Sequence, residues 1–271
     1  MRYIRDLFKV PHRVKNKMPV WAINLMWPSH SPLKKLPYQV LGPTETASFQ
    51  SVLVVSPHPD DETLACGGLI ALLAQARSKV QFVVVCDGSG SHPHSREYPP
   101  AKLIGIRRIE LGSALRTLGI VDSASHYLGV PDNAAPFPED EGFSDVVERM
   151  SGLLASEPPD VVIIPWRRDS SRDHRAVWHI VTEAISRASI RPRVLEYPVW
   201  VWTEAKDAPY PGEVRTLKLD ISLALNKKRK AIACHRSQLG GLIKDDPSGF
   251  KLERIFLANF DVPWELYFEV A

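Results

Sequence analysis

The segment Ser56-Pro57-His58-Pro59-Asp60-Asp61-Glu62 places metal-binding and proton-accepting side chains where an apolar run ends and a helical pattern begins. An imidazole and a carboxylate three residues apart, His58 and Asp61, can converge on one cation in such a turn, and Pro59 restricts the backbone between them. Asp60 adjoins the ligand Asp61 without being needed for coordination, which places it to act as a general base. The alternative interpretation is that these acids only cap the following helix, where negative charge is favoured.

A third metal ligand has to come from elsewhere in the chain. His174 is favoured because it follows the apolar run 161–165, and a residue after a parallel strand reaches the same sheet edge as His58. His179 lies about 140° round a helix from His174, so these two cannot form an i,i+4 chelate. Two neutral histidines and one aspartate leave a coordination position of zinc open for water, as in hydrolytic sites. The other candidates are His92, His94, His126 and His235.

The elements that position these residues follow an alternating pattern. Short β-branched runs predict strands, and stretches with helical spacing between them predict helices, an order typical of βαβ units. The fold class is therefore α/β, a Rossmann-like three-layer fold with a mainly parallel sheet and ligands at the carboxyl ends of its strands. The predicted strands are 51–56, 80–86, 126–130, 161–165 and 194–201, and the predicted helices are 63–77, 104–118, 144–156, 173–187 and 223–238.

Two Gly-, Ser- and Pro-rich stretches, 87–100 and 131–142, each follow a predicted strand. Such composition predicts loops, and their position predicts that both overhang the site. Residues 1–45 are interpreted as a basic N-terminal extension and residues 46–271 as one catalytic domain. The basic residues and two tryptophans of the extension are compatible with contact to an anionic membrane or glycolipid. The preferred interpretation is a solvated segment that packs Trp21 and Trp27 on the domain.

Composition limits the function classes. A formal net charge of +3 over 271 residues argues against a nucleic-acid-binding protein. Three scattered cysteines cannot form a disulfide framework and indicate a reducing compartment. No apolar run approaches the length of a membrane span, so a cytoplasmic enzyme is expected. Oligomeric state is not readable from the sequence.

Five ordered motifs between about residues 50 and 240 resemble the PIG-L/LmbE-like zinc-dependent N-deacetylases. The first is SPHPDDE followed by TLACGG, and the second is an R-x-x-E helix that contains Arg107 and ends at Leu118-Gly119. The others are Leu128-Gly129-Val130-Pro131-Asp132, DSSRDHRA at 169–176, and a C-terminal stretch, 230–238, similar to K-x-x-A-x-x-x-H-x-S-Q.

The resemblance implies Zn²⁺ at His58, Asp61 and His174, with Asp60 as the general base on a zinc-bound water. It also implies that Arg107 and His235 contact the substrate and that Asp87 orients a metal ligand. Each of these last roles has an alternative from the residues alone. Arg107 would be a solvated helix arginine paired with Glu110 or Glu97, His235 a helix-end cap, and Asp87 a turn residue before Gly88.

The chain departs from the family at one position. The second metal motif usually begins with a histidine that assists protonation or polarises the carbonyl, and here Ser171 occupies that place. A serine cannot be a general acid at neutral pH, so the role passes to Asp60 or to His92 or His94 from the overhanging loop, or activity is reduced. Asp173 either accompanies the catalytic group, as the family implies, or only caps its helix.

The resulting expectation is metal-dependent hydrolysis of an N-acetyl group from an amino-sugar-type small molecule, such as an N-acetylglucosamine conjugate. The metal would polarise the water and the carbonyl and stabilise the oxyanion. The alternative is a relative that binds metal and sugar but is weakly catalytic or non-catalytic, because it lacks the proton donor at position 171. A nucleotide-binding Rossmann protein is disfavoured because no GxGxxG follows the first predicted strand.

Overall fold

A central sheet of eight strands organises the residues that the computed structural model describes, which are 31–121, 125–202, 205–210 and 212–270. The strands are β1 (Gln39–Val40), β2 (Ser51–Ser56), β3 (Lys79–Cys86), β4 (Ser125–Val130), β5 (Val161–Pro165), β6 (Arg193–Tyr197), β7 (Val214–Asp220) and β8 (Trp264–Val270). The helices are α1 (Pro43–Ala47), α2 (Asp61–Ala76), α3 (Pro100–Leu118), α4 (Phe143–Ser156), α5 (Arg172–Arg187), α6 (Leu225–Ile232) and α7 (Arg254–Leu257). Short 3-10 turns cover Pro32–Lys35, Trp200–Trp202 and Ala205–Asp207.

The spatial order of the strands is β1-β7-β8-β6-β5-β2-β3-β4. All described neighbours pair in parallel except the two pairs that contain β8, which is antiparallel to both β6 and β7. From β2 the chain proceeds outward to β3 and β4 and then returns to β5 on the other side of β2. This reversal leaves a crevice at the carboxyl ends of β2 and β5, the place where open parallel sheets bind ligands.

Alternating side chains of the central strands divide the core into two halves. In β2, Val52 and Val54 pack on one face while Leu53 and Val55 pack on the other, and all four are buried. The first face is covered by helices that include α2 and α3, and the second by α4 and α5. Strands buried on both faces are apolar almost throughout, which explains why the sequence predicts β2, β3 and β5.

The predicted fold class is confirmed: the structure has a mainly parallel sheet with helices on both sides. Two predicted elements are too long. The predicted strand 194–201 ends at Tyr197, because the backbone N–H groups of Val199 and Trp200 turn away to donate to the Asp169 carboxylate. The predicted helix 223–238 covers only Leu225–Ile232, and the residues after it form turns beneath the site.

The segment before β2 is only partly described. Within the predicted extension 1–45, β1 pairs with β7, and Leu33 and Leu41 are almost completely buried in the core. These residues therefore pack as part of the domain. Trp21, Trp27 and most of the basic residues of the extension lie outside the described residues, so their membrane contact stays a prediction.

No helix in the described ranges is long and apolar enough to span a bilayer. The cytoplasmic location stays a prediction.

Candidate active site

The two histidines predicted to bind metal meet at the crevice between β2 and β5. His58 follows β2, His174 lies in the first turn of α5 after β5, and their ring centroids are 5.6 Å apart. One carboxylate oxygen, Oδ2 of Asp61, lies between them, 3.3 Å from Nδ1 of His58 and 3.2 Å from Nε2 of His174. The backbone N–H of His58 also donates to this oxygen at 3.0 Å. We call His58, Asp61 and His174 the histidine cluster.

A second carboxylate stands behind each imidazole. Nε2 of His58 lies 3.0 Å from Oδ2 of Asp173, and Nδ1 of His174 lies 3.5 Å from Oδ1 of Asp169. Such outer carboxylates fix the tautomer and orientation of metal-binding histidines. Asp173 also accepts the backbone N–H groups of Asn133 and Ala135, which ties the loop after β4 to the site. It therefore does more than cap its helix.

The carboxylates favour positive charge in the cluster. Burial opposes charge on His174, but the neighbouring Asp61 and Asp169 raise its pKa to about 9. Burial likewise opposes charge on His58, and its bonds with Asp173 and Asp61 raise its pKa well above the ordinary value. Burial also acts on Asp61, yet the two imidazoles hold its pKa well below the usual range. A divalent cation satisfies the same demand.

The cluster fits a metal ion by its own geometry. Its three ligand atoms lie within 4.8 Å of one another, and both ring nitrogens of the fully buried His174 lack a well-aligned hydrogen-bond partner in the described part of the chain. A second grouping shares His58 and adds Cys86 and Asp132. Burial raises the pKa of the Cys86 thiol to about 11, which disfavours the thiolate that metals bind. The histidine cluster is the better candidate.

Asp60 lies beside the histidine cluster, and its carboxylate contacts Arg107. Its Oδ2 is 3.3 Å from Nη2 of Arg107, and both side chains are buried. Burial raises the pKa of Asp60 to about 8, although the Arg107 guanidinium opposes the shift. Arg107 also donates to the backbone carbonyls of Pro59 and Gly88, so it is not the solvated arginine of the alternative interpretation.

These groups adjoin a cavity of about 350 Å³, within the range of small-molecule sites. The predicted residues His58, Asp60, Asp61, Arg107 and Ser171 all line it. Part of its surface, which we call the glutamine wall, is formed by Ser91, Arg107, Trp200, Gln238 and Phe250. The rest of the lining is Leu64, Gly90, Asp132, Asn133, Ser170 and Leu252.

The loop histidines do not line this cavity. His92 is buried, and its ring packs so closely on Gly249 that a Cβ there would lie 2.1 Å from the ring. His94 is exposed, and its backbone N–H donates to Asp246. The loop 87–100 is thus fastened to the segment 245–250 by hydrogen bonds, among them one from Phe250 N–H to the Ser91 carbonyl.

Two further predicted residues also lie off the cavity lining. His235 is buried, with Nε2 3.1 Å from the Thr63 hydroxyl, and burial lowers its pKa to about 3. Its predicted substrate contact stays a prediction. The Asp87 carboxylate accepts the N–H of Ser89, which is the turn role of the alternative interpretation.

Sequence reasoning missed Trp200 and Phe250, and it gave no individual role to Asp132, Asp169 and Gln238, although each stands in a motif named above. Asp132 accepts the N–H groups of Gly88 and Gly90, and its Oδ1 lies 3.8 Å from Nε2 of His58. A signal existed for Asp132 and Asp169, since both are acids in a loop that follows a predicted strand. No local signal marks Trp200 or Phe250, because only the fold brings their segments to the cavity.

Known proteins resemble this chain over most of its length. The family described as "PIG-L: GlcNAc-PI de-N-acetylase" matches residues 53–185. A probable N-acetyl-alpha-D-glucosaminyl L-malate deacetylase 2 of Bacillus cereus is 29% identical over 202 residues, which cover 74% of this chain and 89% of the relative. The diacetylchitobiose deacetylase of Thermococcus kodakarensis is 25% identical over 76% of each chain.

The fold also resembles that of solved structures. The N,N'-diacetylchitobiose deacetylase of Pyrococcus horikoshii superposes with a TM-score of 0.58 at 22% identity, covering 80% of this chain and 78% of that one.

Proposed function

We propose that this chain, which the PIG-L family model matches over residues 53–185, is a metal-dependent amide hydrolase that removes the N-acetyl group from an N-acetylglucosamine-type conjugate. The observation that carries the proposal is the convergence of His58, Asp61 and His174 beside a cavity that Asp60 also lines. The relatives named above act on N-acetylated amino sugars, which supports this substrate class.

We assign His58, Asp61 and His174 as the metal ligands and zinc as the metal. Two imidazoles and one carboxylate are a donor set that zinc accepts in hydrolytic sites, and Asp169 and Asp173 hold the imidazoles in place. When bound, zinc would supply Lewis acidity that activates water and polarises the acyl carbonyl.

Asp60 is the general base. Its carboxylate takes a proton from the attacking water while the water oxygen bonds to the amide carbon. The bond between that carbon and nitrogen then breaks, and the departing nitrogen takes a proton to become a free amine beside acetate. Arg107 fixes the base through its contact with the Asp60 carboxylate. The Asp60 carboxylate is therefore fixed in orientation for the proton transfer.

Asp60 also returns the proton to the amine. Ser171 lines the cavity at the family histidine's position, and among the described residues His58 is the one imidazole in the lining. His58 has both ring nitrogens directed to carboxylates. The described acidic residues of the lining are Asp60, Asp61 and Asp132. Asp61 is a proposed ligand, and the Asp132 carboxylate accepts from Gly88 and Gly90 beside His58, so we assign both the acceptance and the return of the proton to Asp60.

The test is acetate and free-amine release from a panel of N-acetylglucosamine conjugates by the zinc-loaded enzyme. Stoichiometric release of both products is expected, and Asp60→Asn serves as the matched inactive control. An enzyme that binds zinc and sugar but releases neither product would support the non-catalytic alternative and overturn the proposal.

A further inference from the structure

Two consecutive residues at the start of α5 bind the same residue of the loop 131–142, which follows β4. Asp173 accepts the backbone N–H of Ala135 on Oδ1 at 3.3 Å. Arg172 donates from Nη1 to the backbone carbonyl of Ala135 at 2.5 Å. Both backbone polar groups of this buried residue are therefore bonded to the first turn of α5, the turn that also carries His174.

Arg172 makes two further contacts with the same loop. Its Nη2 lies 3.1 Å from Oδ2 of Asp140, and this oxygen also accepts the backbone N–H of Phe137 at 2.9 Å. The guanidinium carbon of Arg172 lies 4.9 Å from the centre of the Phe137 ring, which is the distance of a cation–π contact. The planar guanidinium thus joins three positions of the loop, Ala135, Phe137 and Asp140, which a lysine ammonium is too compact to do.

The loop in turn positions the carboxylate behind a proposed metal ligand. Oδ2 of Asp173 accepts the backbone N–H of Asn133 at 2.7 Å and lies 3.0 Å from Nε2 of His58. Because the loop N–H groups and the imidazole share one carboxylate, the position of the loop determines how the Asp173 oxygens are oriented. A change in that orientation weakens the support of the His58 imidazole, on which metal affinity depends.

We infer that Arg172 is a positioning residue for the metal site: it holds the loop after β4 so that Asp173 orients His58. The inference rests on the proposed function, because it takes His58 as a metal ligand. Arg172 is not in the cavity lining, so its effect is expected on the bound metal rather than on contact with substrate.

The charge of Arg172 predicts the opposite effect on metal binding. Its Nη1 lies 3.9 Å from Oδ1 of Asp173, so its positive charge reduces the attraction of this region for a cation. Replacement of Arg172 by alanine would tighten zinc binding if charge alone acted. It would weaken zinc binding if the hold on the loop is what matters. The sign of the change in affinity therefore separates the two roles.

The test is competition between the zinc-loaded protein and a zinc chelator, which gives the zinc Kd without any substrate. Arg172→Ala is expected to raise this Kd by about three- to tenfold, a part of the effect of losing the outer carboxylate itself. Arg172→Lys keeps the charge but not the contacts of the planar fork, so it should also raise the Kd. Arg187→Ala is the matched control, because Arg187 lies on the same helix, is about equally exposed and pairs with Glu183.

A double-mutant cycle tests whether Arg172 acts through Asp173. If it does, Arg172→Ala should change the zinc Kd by less than about twofold once Asp173→Asn is present. Hydrogen–deuterium exchange of peptides that cover 131–142 should be faster in Arg172→Ala than in wild type and unchanged in Arg187→Ala. General destabilisation would instead speed exchange along the whole chain and raise the Kd equally in both backgrounds.

The outcomes separate this inference from the proposed function. An unchanged or lower zinc Kd in Arg172→Ala overturns the inference and leaves the proposed metal ligands in place. Effects that multiply in the double variant also overturn it, because Arg172 would then act independently of Asp173. A wild-type protein that binds no zinc overturns the proposed function and this inference together.

Discussion

The histidine cluster and the glutamine wall share one cavity but differ in how their polar atoms are paired. In the cluster, all four ring nitrogens of His58 and His174 lie 3.0 to 3.5 Å from carboxylate oxygens, although those of His174 are not aligned for hydrogen bonds. In the wall, Arg107 Nε and Gln238 Oε1 are buried without partners in the described residues. The cluster surrounds its imidazoles with carboxylates, which suits a cation, whereas the wall combines an arginine and an amide with the aromatic side chains of Trp200 and Phe250.

Replacement of the base should have the largest effect on catalysis. Asp60→Asn is expected to lower kcat by roughly two to four orders of magnitude, because a positioned general base contributes about that much. Its zinc content should remain that of wild type, since the cluster is intact. Steady-state kinetics and metal analysis check both statements, and near-normal turnover would remove Asp60 from the mechanism.

The outer carboxylates of the cluster should affect metal affinity by a smaller factor. Asp173→Asn is expected to weaken zinc binding by about ten- to a hundredfold, the usual effect of losing such a partner. Asp87→Asn is the matched control, because the Asp87 carboxylate accepts from Ser89 and has no described contact with the cluster. Competition with a zinc chelator measures both, and equal affinities of the two variants would contradict the role given to Asp173.

Ser171 lines the cavity beside the cluster, and its replacement tests which group donates the proton to the amine. Ser171→His restores an imidazole in the lining and is expected to raise kcat by up to about tenfold, a part of what a positioned acid contributes. His94→Ala should leave kcat within about twofold of wild type, since His94 is exposed outside the cavity lining. A Ser171→His enzyme that is no faster, beside an inactive His94→Ala, would show that the loop supplies the acid.

The same contrast explains which parts were readable from the sequence. β2 and β5 are apolar almost throughout and were predicted with their observed bounds. His58 and Asp61 follow β2 within five residues, and His174 follows β5 in the first turn of α5. The placement of these residues at one sheet edge follows from parallel pairing alone. The cluster could therefore be predicted from short segments.

The glutamine wall could not be predicted in this way. Ser91, Trp200, Gln238 and Phe250 come from four separate segments, and Gln238 was placed in a helix that ends six residues earlier, at Ile232. Likewise β1, β7 and β8 were missed, and the antiparallel pairing of β8 has no local signal. The loop that contains His92 was predicted, from its Gly, Ser and Pro content, to overhang the site. Hydrogen bonds instead fasten this loop to the segment 245–250, and the sequence alone gives no sign of them.

The central claim is that His58, Asp61 and His174 hold one metal ion, and zinc stoichiometry tests it most directly. Metal analysis of purified protein after dialysis against zinc-free buffer should give about one zinc per chain for wild type. His174→Ala should retain almost none, because two protein ligands are too few to hold the ion. His179→Ala, five residues further along α5, should retain about one. Full zinc occupancy in His174→Ala would contradict the account.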